Sequence, residues 1–227
     1  FVLLNYSSTA HDVFTIAHEL GHSLHSYYSS KEQDYINADY SIFVAEVAST
    51  VNEVLLLKYM LKTETEPAMR KFLLAYYLDM FRTTLFRQTM FAEFELSSHS
   101  MAQAGKPLTV ESLSREYMKL NKKYYGPHVV HDRQIRLEWA RIPHFYHAFY
   151  VYKYATGITS AVNIAHAILE EGESAVARYK EKFLSAGGSK SPYDILCDVG
   201  VDLKSDEPYK VAMKEFSETL ALLEELV

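Results

Sequence analysis

The stretch AHELGHSLHS, residues 17–26, contains three histidines and one glutamate, and its apolar residues recur at the spacing of a helix. His18 and His22 are four residues apart, so on a helix they lie one turn apart on the same face and both imidazoles can reach one ion. Glu19 lies between them and projects beside that ion, where its carboxylate can accept a proton from water. The pattern predicts a zinc site on a helix, with Glu19 as the general base.

A third ligand is predicted on the next helix. Glu46 lies in the apolar stretch SIFVAEVAST, residues 41–50, where burial of an unpaired carboxylate is costly and coordination removes that cost. Glu53 follows seven residues later on roughly the same face, and we expect it to hold one of the histidines from outside the metal. Gly21, inside the helix, indicates a close approach of another backbone or a packing contact. His25 is expected to have a structural or outer role.

The alternative interpretation of these residues has no metal. His18 and His22 would then form hydrogen bonds inside a core, with Glu19 and Glu46 at its surface. This interpretation is the less favoured one, because it leaves four polar side chains in or near an apolar setting without a shared reason.

The whole chain, residues 1–227, is expected to form one mostly helical domain, since no repeat, low-complexity tract or shift of composition marks a boundary. One short strand is predicted, FVLL at residues 1–4. Because the chain begins within this apolar run, without an initiator methionine, we expect a fragment of a longer protein. Apolar periodicity and capping residues predict helices over residues 10–28, 40–62, 67–98, 109–124, 144–171 (interrupted or closely packed at Gly157), 173–185, 191–198 and 207–226.

Composition and charge argue against several classes of protein. Lysine and arginine total 23 against 29 for aspartate and glutamate, a net charge of -6, which argues against a nucleic-acid binder. No apolar run has the length that a membrane-spanning helix needs. The single cysteine, Cys197, cannot form an internal disulfide, so a cytoplasmic location is the default, and its side chain is expected in the core. The sequence does not indicate the oligomeric state.

Three segments carry a family resemblance. AHELGHSLHSYYS from residue 17, FVAEVASTVNE from residue 43 and WARIPHFYHAFYVYKYATG ending at residue 157 resemble the catalytic, C-terminal half of oligoendopeptidase F, in the thimet-oligopeptidase-like family of zinc metallopeptidases. The resemblance implies a multi-helix, zincin-type metallopeptidase catalytic domain whose upstream helical region is absent. It also implies one zinc ion per chain with His18, His22 and Glu46 as ligands, and Glu19 as the catalytic base.

The aromatic stretch PHFYHAFYVYKYATG, residues 143–157, is the second candidate part of the site. In the family, a histidine and tyrosines of this region face the zinc and hold the substrate carbonyl and the oxyanion, so the resemblance implies these roles for His144 and some of the tyrosines. A phenol can donate a hydrogen bond to a developing oxyanion. The first candidates are Tyr146 and Tyr154, and the others are Tyr150 and Tyr152. Most aromatic residues at helical spacing are expected to be core.

These residues favour the hypothesis of a zinc-dependent endopeptidase that hydrolyses short oligopeptides. Two alternatives stay open: a zinc carboxypeptidase of related fold, and a catalytically inactive fragment that binds zinc and peptide. A helical interaction domain without catalysis is a further alternative. The predicted strand at the N-terminus is a candidate to pair with an extended peptide substrate.

Overall fold

The computed structural model describes residues 1–226, and in that part of the chain all regular secondary structure is helical. The prediction of a mostly helical fold is therefore confirmed. The α-helices are α1 (Ala10–Glu32), α2 (Ile42–Thr63), α3 (Pro67–Met80), α4 (Arg87–Gln103), α5 (Val110–Tyr125), α6 (Tyr152–Glu171), α7 (Glu173–Arg178), α8 (Pro192–Asp198) and α9 (Glu207–Glu224). Two π-helical turns are Phe81–Phe86 and Tyr179–Leu184, and three 3-10 helices are Tyr35–Asn37, Arg133–Arg141 and Pro143–Tyr146.

The chain divides into two compact units. The first comprises Phe1–Phe81 and the described residues from Thr156 onward, and its core joins apolar side chains of α2, α6, α8 and the second π-helical turn. The second comprises Arg82–Ala155, and its core packs the apolar faces of α4 and α5 together. A single domain over the whole chain remains a prediction.

Side-chain caps fix the starts of the two helices that carry the predicted metal ligands. The Thr9 hydroxyl accepts the Asp12 amide, and the Asp12 carboxylate accepts the Thr9 amide at 2.8 Å, which forms a capping box at the start of α1. The Ser41 hydroxyl accepts the Phe43 amide at 3.2 Å at the start of α2. Both helices begin within two residues of their predicted positions, because these polar side chains satisfy amides that lack helical partners.

The predicted strand FVLL, residues 1–4, is wrong for the described chain. These residues have no regular secondary structure, and the side chains of Phe1 and Leu3 are exposed. A strand needs a neighbouring strand to pair its amides and carbonyls, and residues 1–226 contain none.

Two predicted helices contain π-helical turns. The helix predicted over residues 67–98 is α3, the turn Phe81–Phe86 and α4, and it continues to Gln103. The helix predicted over residues 173–185 is α7 followed by the turn Tyr179–Leu184. A π-helical turn keeps the chain helical while it adds one residue to the local repeat, so apolar periodicity did not reveal it.

The helix predicted over residues 144–171 is wrong in its first two turns. Only Pro143–Tyr146 forms a short 3-10 helix there, and α6 begins at Tyr152. Phe149 has a φ angle of +57°, a left-handed conformation that cannot be part of a right-handed helix. Beyond Tyr152 the helix runs without a break through Gly157, and a Cβ at this glycine would have no heavy atom within 4 Å. Neither the interruption nor the close packing expected there is found.

The expectation that Cys197 is a core residue is wrong, because its side chain is exposed near the end of α8. The core positions of this helix are taken by Ile195 and Leu196. None of the helices described in residues 1–226 combines the length and the apolar character that crossing a membrane requires.

Candidate metal centre

The backbones of α1 and α2 touch at Gly21. A Cβ atom at this position would lie 2.6 Å from the Cα of Ser49 and 2.7 Å from the carbonyl oxygen of Ala48, closer than real Cβ atoms approach other atoms. One turn earlier in α1, the Asn52 side-chain amide donates to the carbonyl oxygen of Ala17 at 3.1 Å. Glycine therefore permits the contact, and the hydrogen bond fixes the register in which α2 lies along the face of α1 that carries His18 and His22.

This contact brings the three predicted ligand atoms together. His18 Nε2 lies 3.2 Å from His22 Nε2 and 3.3 Å from Glu46 Oε2, and His22 Nε2 lies 3.6 Å from Glu46 Oε2. A tetrahedral zinc with ligand bonds of about 2.0–2.1 Å separates its ligand atoms by about 3.3–3.4 Å. The spacing of these three atoms therefore fits a single zinc ion. Each side chain keeps 27–34% of its surface exposed, so the group is accessible from solvent.

Carboxylates surround the imidazole of His18. Its Nδ1 lies 2.6 Å from Oε1 of Glu53, on the side of the ring away from Glu46. Burial lowers the pKa of His18, but the hydrogen bonds with Glu46 and Glu53 outweigh it and raise this pKa to about 10. The hydrogen bond with His18 in turn lowers the pKa of Glu46, against the effect of burial, and the Ser49 hydroxyl donates to Glu46 Oε2 at 3.2 Å. The carboxylates of Glu46 and Glu53 place negative charge around the His18 imidazole, which favours binding of a divalent cation.

Glu19 lies on α1 between the two histidines. Its side chain is half-buried, and within the described chain its carboxylate makes no hydrogen bond or ion pair. Its main-chain carbonyl accepts the Ser23 hydroxyl at 2.9 Å, an ordinary helix-surface bond. The carboxylate is thus available to accept a hydrogen bond from a solvent or substrate molecule.

His25 is buried one turn after His22 and is not one of the three grouped residues. Its ring stacks on Tyr40 with 3.6 Å between centroids and lies 5.2 Å from the ring of Phe183. Its Nδ1 atom has no hydrogen-bond partner among the described residues. Burial, with a smaller effect of His22, lowers the pKa of His25 to about 3, so the ring is neutral at physiological pH.

A second cluster of polar aromatic residues lies in the unit Arg82–Ala155. The Tyr154 hydroxyl lies 3.2 Å from His144 Nε2, and the Tyr150 ring stacks against the His144 ring at 5.6 Å between centroids. The Tyr150 and Tyr154 rings also meet edge to face at 5.6 Å. A cleft of about 360 Å³ opens beside the cluster and is lined by Pro143, His144, His147 and Tyr150.

Comparison with known proteins identifies the family. The family model described as peptidase family M3 matches residues 1–215. The chain belongs to this family. It is 51% identical over all 227 residues to oligopeptidase PepF of Bacillus subtilis and covers 34% of that protein. It is 43% identical over 227 residues to the chromosomal oligoendopeptidase F of Lactococcus lactis and covers 38% of it.

A solved structure is also similar to this chain. The crystal structure of oligoendopeptidase F from Enterococcus faecium has a TM-score of 0.85 and 44% identity, over 95% of this chain and 39% of that one. The resemblance to oligoendopeptidase F is therefore confirmed. The chain spans about a third of the length of the curated relatives that it matches.

In this M3 chain, the candidate tyrosines have different surroundings. Tyr154 and Tyr150 contact His144, as described above. Tyr146 is 81% exposed and lies outside the His144 cluster, and Tyr152 is also exposed. The aromatic spacing of the sequence did not distinguish these positions, because it suggested a regular helix where the chain turns at Phe149. The catalytic role of Tyr146 stays a prediction.

Proposed function

We propose that this chain carries the zinc site of a metalloendopeptidase that hydrolyses internal peptide bonds of short oligopeptides. The observation that carries the proposal is the convergence of His18 Nε2, His22 Nε2 and Glu46 Oε2 to within 3.6 Å of one another. Membership of peptidase family M3 supports a peptidase, and the names of its relatives support oligopeptides as substrates. We also propose a cytoplasmic location, because the single cysteine gives no sign of the disulfides that are typical of oxidising compartments.

Two imidazoles and one carboxylate form the donor set of many catalytic zinc sites, in which a fourth position stays open. In the proposal, His18, His22 and Glu46 would hold the ion. Zinc would supply a Lewis acid that lowers the pKa of water and polarises the scissile carbonyl. Glu53 would hold the His18 ring through Nδ1, so that Nε2 points toward the other two ligands.

Glu19 is proposed as the general base. Its carboxylate accepts a proton from the attacking water and then returns it to the amine of the leaving peptide. The half-buried position of Glu19, whose carboxylate has no partner among the described residues, supports this role. A positioned base of this kind contributes about 10²–10⁴-fold to the rate.

His144 and a tyrosine are proposed as hydrogen-bond donors to the substrate carbonyl and the developing oxyanion. This part rests on the family resemblance and on the contacts inside the unit Arg82–Ala155. The hydrogen-bond distance between Tyr154 and His144 supports Tyr154 as the tyrosine, and Tyr146 remains the other candidate.

Internal cleavage of a peptide blocked at both ends tests the proposed function. The zinc-loaded protein is expected to cleave it, and a chelator is expected to stop cleavage. Glu19→Gln is expected to lose hydrolysis by about 10²–10⁴-fold while its zinc content is unchanged. Glu32→Gln, an exposed glutamate near the end of the same helix, is the matched control and is expected to keep full activity.

Other outcomes separate the alternatives. Cleavage only of peptides with a free carboxyl end would indicate a zinc carboxypeptidase. Zinc binding by His18, His22 and Glu46 without hydrolysis of any peptide would indicate an inactive fragment. Absence of zinc binding would contradict the proposal as a whole.

A further inference from the structure

Phe149 adopts a backbone conformation that bulky residues avoid. Its φ angle is +57°, in the left-handed region, and Ser8 is the other non-glycine residue with positive φ among residues 1–226. A residue with a large side chain keeps this conformation only when its surroundings hold it there. Phe149 immediately precedes Tyr150, the residue whose ring stacks on His144.

Glu95, on α4, holds the main chain of Phe149. The Phe149 amide donates to Glu95 Oε1 at 2.6 Å, and the glutamate is only 4% exposed. A hydrogen bond to an ionised acceptor is short and stronger than a neutral one. Burial of a carboxylate is costly, and an apolar side chain would fill the same space without that cost. The hydrogen bond that Glu95 accepts from the Phe149 amide gives a physical reason why a carboxylate is found at this buried position.

His99 holds the side chain of the same residue. It lies one turn after Glu95 on α4, and its ring packs on the Phe149 ring with 4.6 Å between centroids and 41° between planes. Two residues on one face of α4 therefore contact both the amide and the ring of Phe149. Together they fix the direction in which the chain leaves Phe149 toward Tyr150 and α6.

We propose that Glu95 and His99 are positioning residues for the His144, Tyr150 and Tyr154 cluster, and that they act by keeping Phe149 left-handed. This inference rests on the proposed function, because it assigns the cluster a role in catalysis. If Phe149 relaxed to a right-handed or extended conformation, the chain direction after it would change, and the Tyr150 ring would leave His144. Misplacement of a catalytic group by about 1 Å can reduce a rate about 10²-fold.

The test compares Glu95→Ala and Glu95→Gln with Glu93→Ala in the zinc-loaded protein. Glutamine retains an acceptor oxygen at the same place, whereas alanine removes it. Glu93 is the matched control, because it lies on α4 but pairs with Lys123 and Tyr124. The measurements are kcat and KM on a doubly blocked peptide, zinc content, and hydrogen exchange of the amides at residues 147–151.

Glu95→Ala is expected to lower kcat about 10–100-fold with KM and zinc content unchanged, and to speed exchange of the Phe149 amide. Glu95→Gln is expected to restore most of both properties, and Glu93→Ala to resemble the wild type. A folded Glu95→Ala protein with wild-type kcat, or a loss that glutamine does not restore, would overturn the inference. An uncleaved peptide with the wild-type protein would instead overturn the proposed function, and the catalytic role of the cluster with it.

His99→Ala keeps the test decisive if Glu95→Ala does not fold. It removes the ring contact but leaves the hydrogen bond to Glu95, so a smaller decrease in kcat is expected, with faster exchange at residues 147–151. Unchanged kcat together with unchanged exchange in His99→Ala would count against the inference.

Discussion

Oε1 of Glu53 lies 2.6 Å from Nδ1 of His18, a contact that joins α2 to α1 between residues 35 positions apart. The bond leaves the other nitrogen of the ring, Nε2, facing His22 and Glu46. The orientation of one candidate ligand is therefore set by a carboxylate on the helix that supplies another. A metal ligand held in this way loses little freedom when the metal binds.

Removing this carboxylate tests its effect on metal affinity. Glu53→Ala is expected to weaken zinc binding about 10–100-fold, because the His18 ring is no longer held and is a less basic ligand. Competition with a chromophoric chelator measures the affinity. Glu170→Ala is the matched control, since Glu170 is an exposed glutamate beside another histidine, His166. Equal zinc affinities in the wild type, Glu53→Ala and Glu170→Ala would contradict the role given to Glu53.

The contact at Gly21 gives a second prediction. In Gly21→Ala the new methyl group would meet the α2 backbone at 2.6–2.9 Å, so the helices must separate. Overpacking of this kind costs about 1–3 kcal/mol. The higher helix propensity of alanine, worth about 1 kcal/mol relative to glycine, offsets only part of this cost. We expect lower stability in urea unfolding and weaker zinc binding, because Glu46 moves away from His18.

Gly157→Ala is the control for this substitution. Gly157 lies inside α6, and a Cβ there has no heavy atom within 4 Å. The same change of residue is therefore expected to raise stability by about 0.5–1 kcal/mol and to leave zinc affinity unchanged. Stabilisation by Gly21→Ala as well would show that the two helices do not need the close contact.

The sequence predicted the parts of this site that depend on local geometry. The four-residue spacing of His18 and His22 places both on one face of any helix, and this required no knowledge of the fold. Glu46 could be proposed as a partner only because a carboxylate within an apolar helical stretch is costly to bury alone. The role of Asn52 was not predictable, since its partner is a main-chain carbonyl of another helix. The turn at Phe149 was hidden for a related reason: no glycine marks it, and contacts from α4 stabilise it.

The tyrosine assignment can be decided by removing single hydroxyl groups. Tyr154→Phe is expected to lower kcat about 10²-fold or more with little change in KM, because it deletes the phenol at hydrogen-bond distance from His144. Tyr146→Phe is expected to have the smaller effect, since Tyr146 is exposed and outside the cluster. Steady-state kinetics on the doubly blocked peptide compares the two. A larger loss in Tyr146→Phe would reverse the assignment.

An ion pair between the buried Glu138 and the partly exposed Arg87 is expected to stabilise the unit that carries this cluster. Glu138 is nearly buried, and its carboxylate accepts hydrogen bonds of 2.6 Å from Arg87 and from the Tyr117 hydroxyl. Glu138→Ala leaves the Arg87 charge without this partner and is expected to cost about 3–5 kcal/mol in urea unfolding. Glu111→Ala removes an exposed carboxylate of α5 that pairs with Arg115, and is expected to change stability by less than about 1 kcal/mol.

The hydrogen-bonded carboxylate of Glu138 also predicts how the stability of the protein changes at acidic pH. Burial raises the pKa of Glu138, but the hydrogen bonds from Arg87 and Tyr117 outweigh burial and lower this pKa below its usual value. The stabilisation is therefore present above the pKa of the unfolded state, about 4.5, and is lost as the pH falls through the lower folded value. Acid titration of wild type and Glu138→Gln should converge at low pH. Parallel curves would rule out this contribution.

His25 is expected to make the stability of the protein depend on pH in a different, less acidic range. Its folded pKa of about 3 is below the usual 6.5, so the unfolded chain takes up the proton first. Stability from the neutral ring is complete above about pH 6.5 and decreases as the pH falls toward 3. Each pH unit in this window is equivalent to about 1.4 kcal/mol, so about 2 kcal/mol should be lost between pH 7.5 and 5.0.

His25→Phe tests this prediction in the metal-free protein, where zinc release does not contribute. Phenylalanine can keep the stacking on Tyr40 and has no titrating nitrogen. Relative to the wild type, the free energy of unfolding of the variant should therefore rise by about 2 kcal/mol between pH 7.5 and pH 5.0. Urea unfolding at the two pH values measures the shift. His166→Phe, at a half-exposed histidine of α6, should show no comparable shift. A pH-independent difference for His25→Phe would mean that the buried ring takes up its proton without loss of stability.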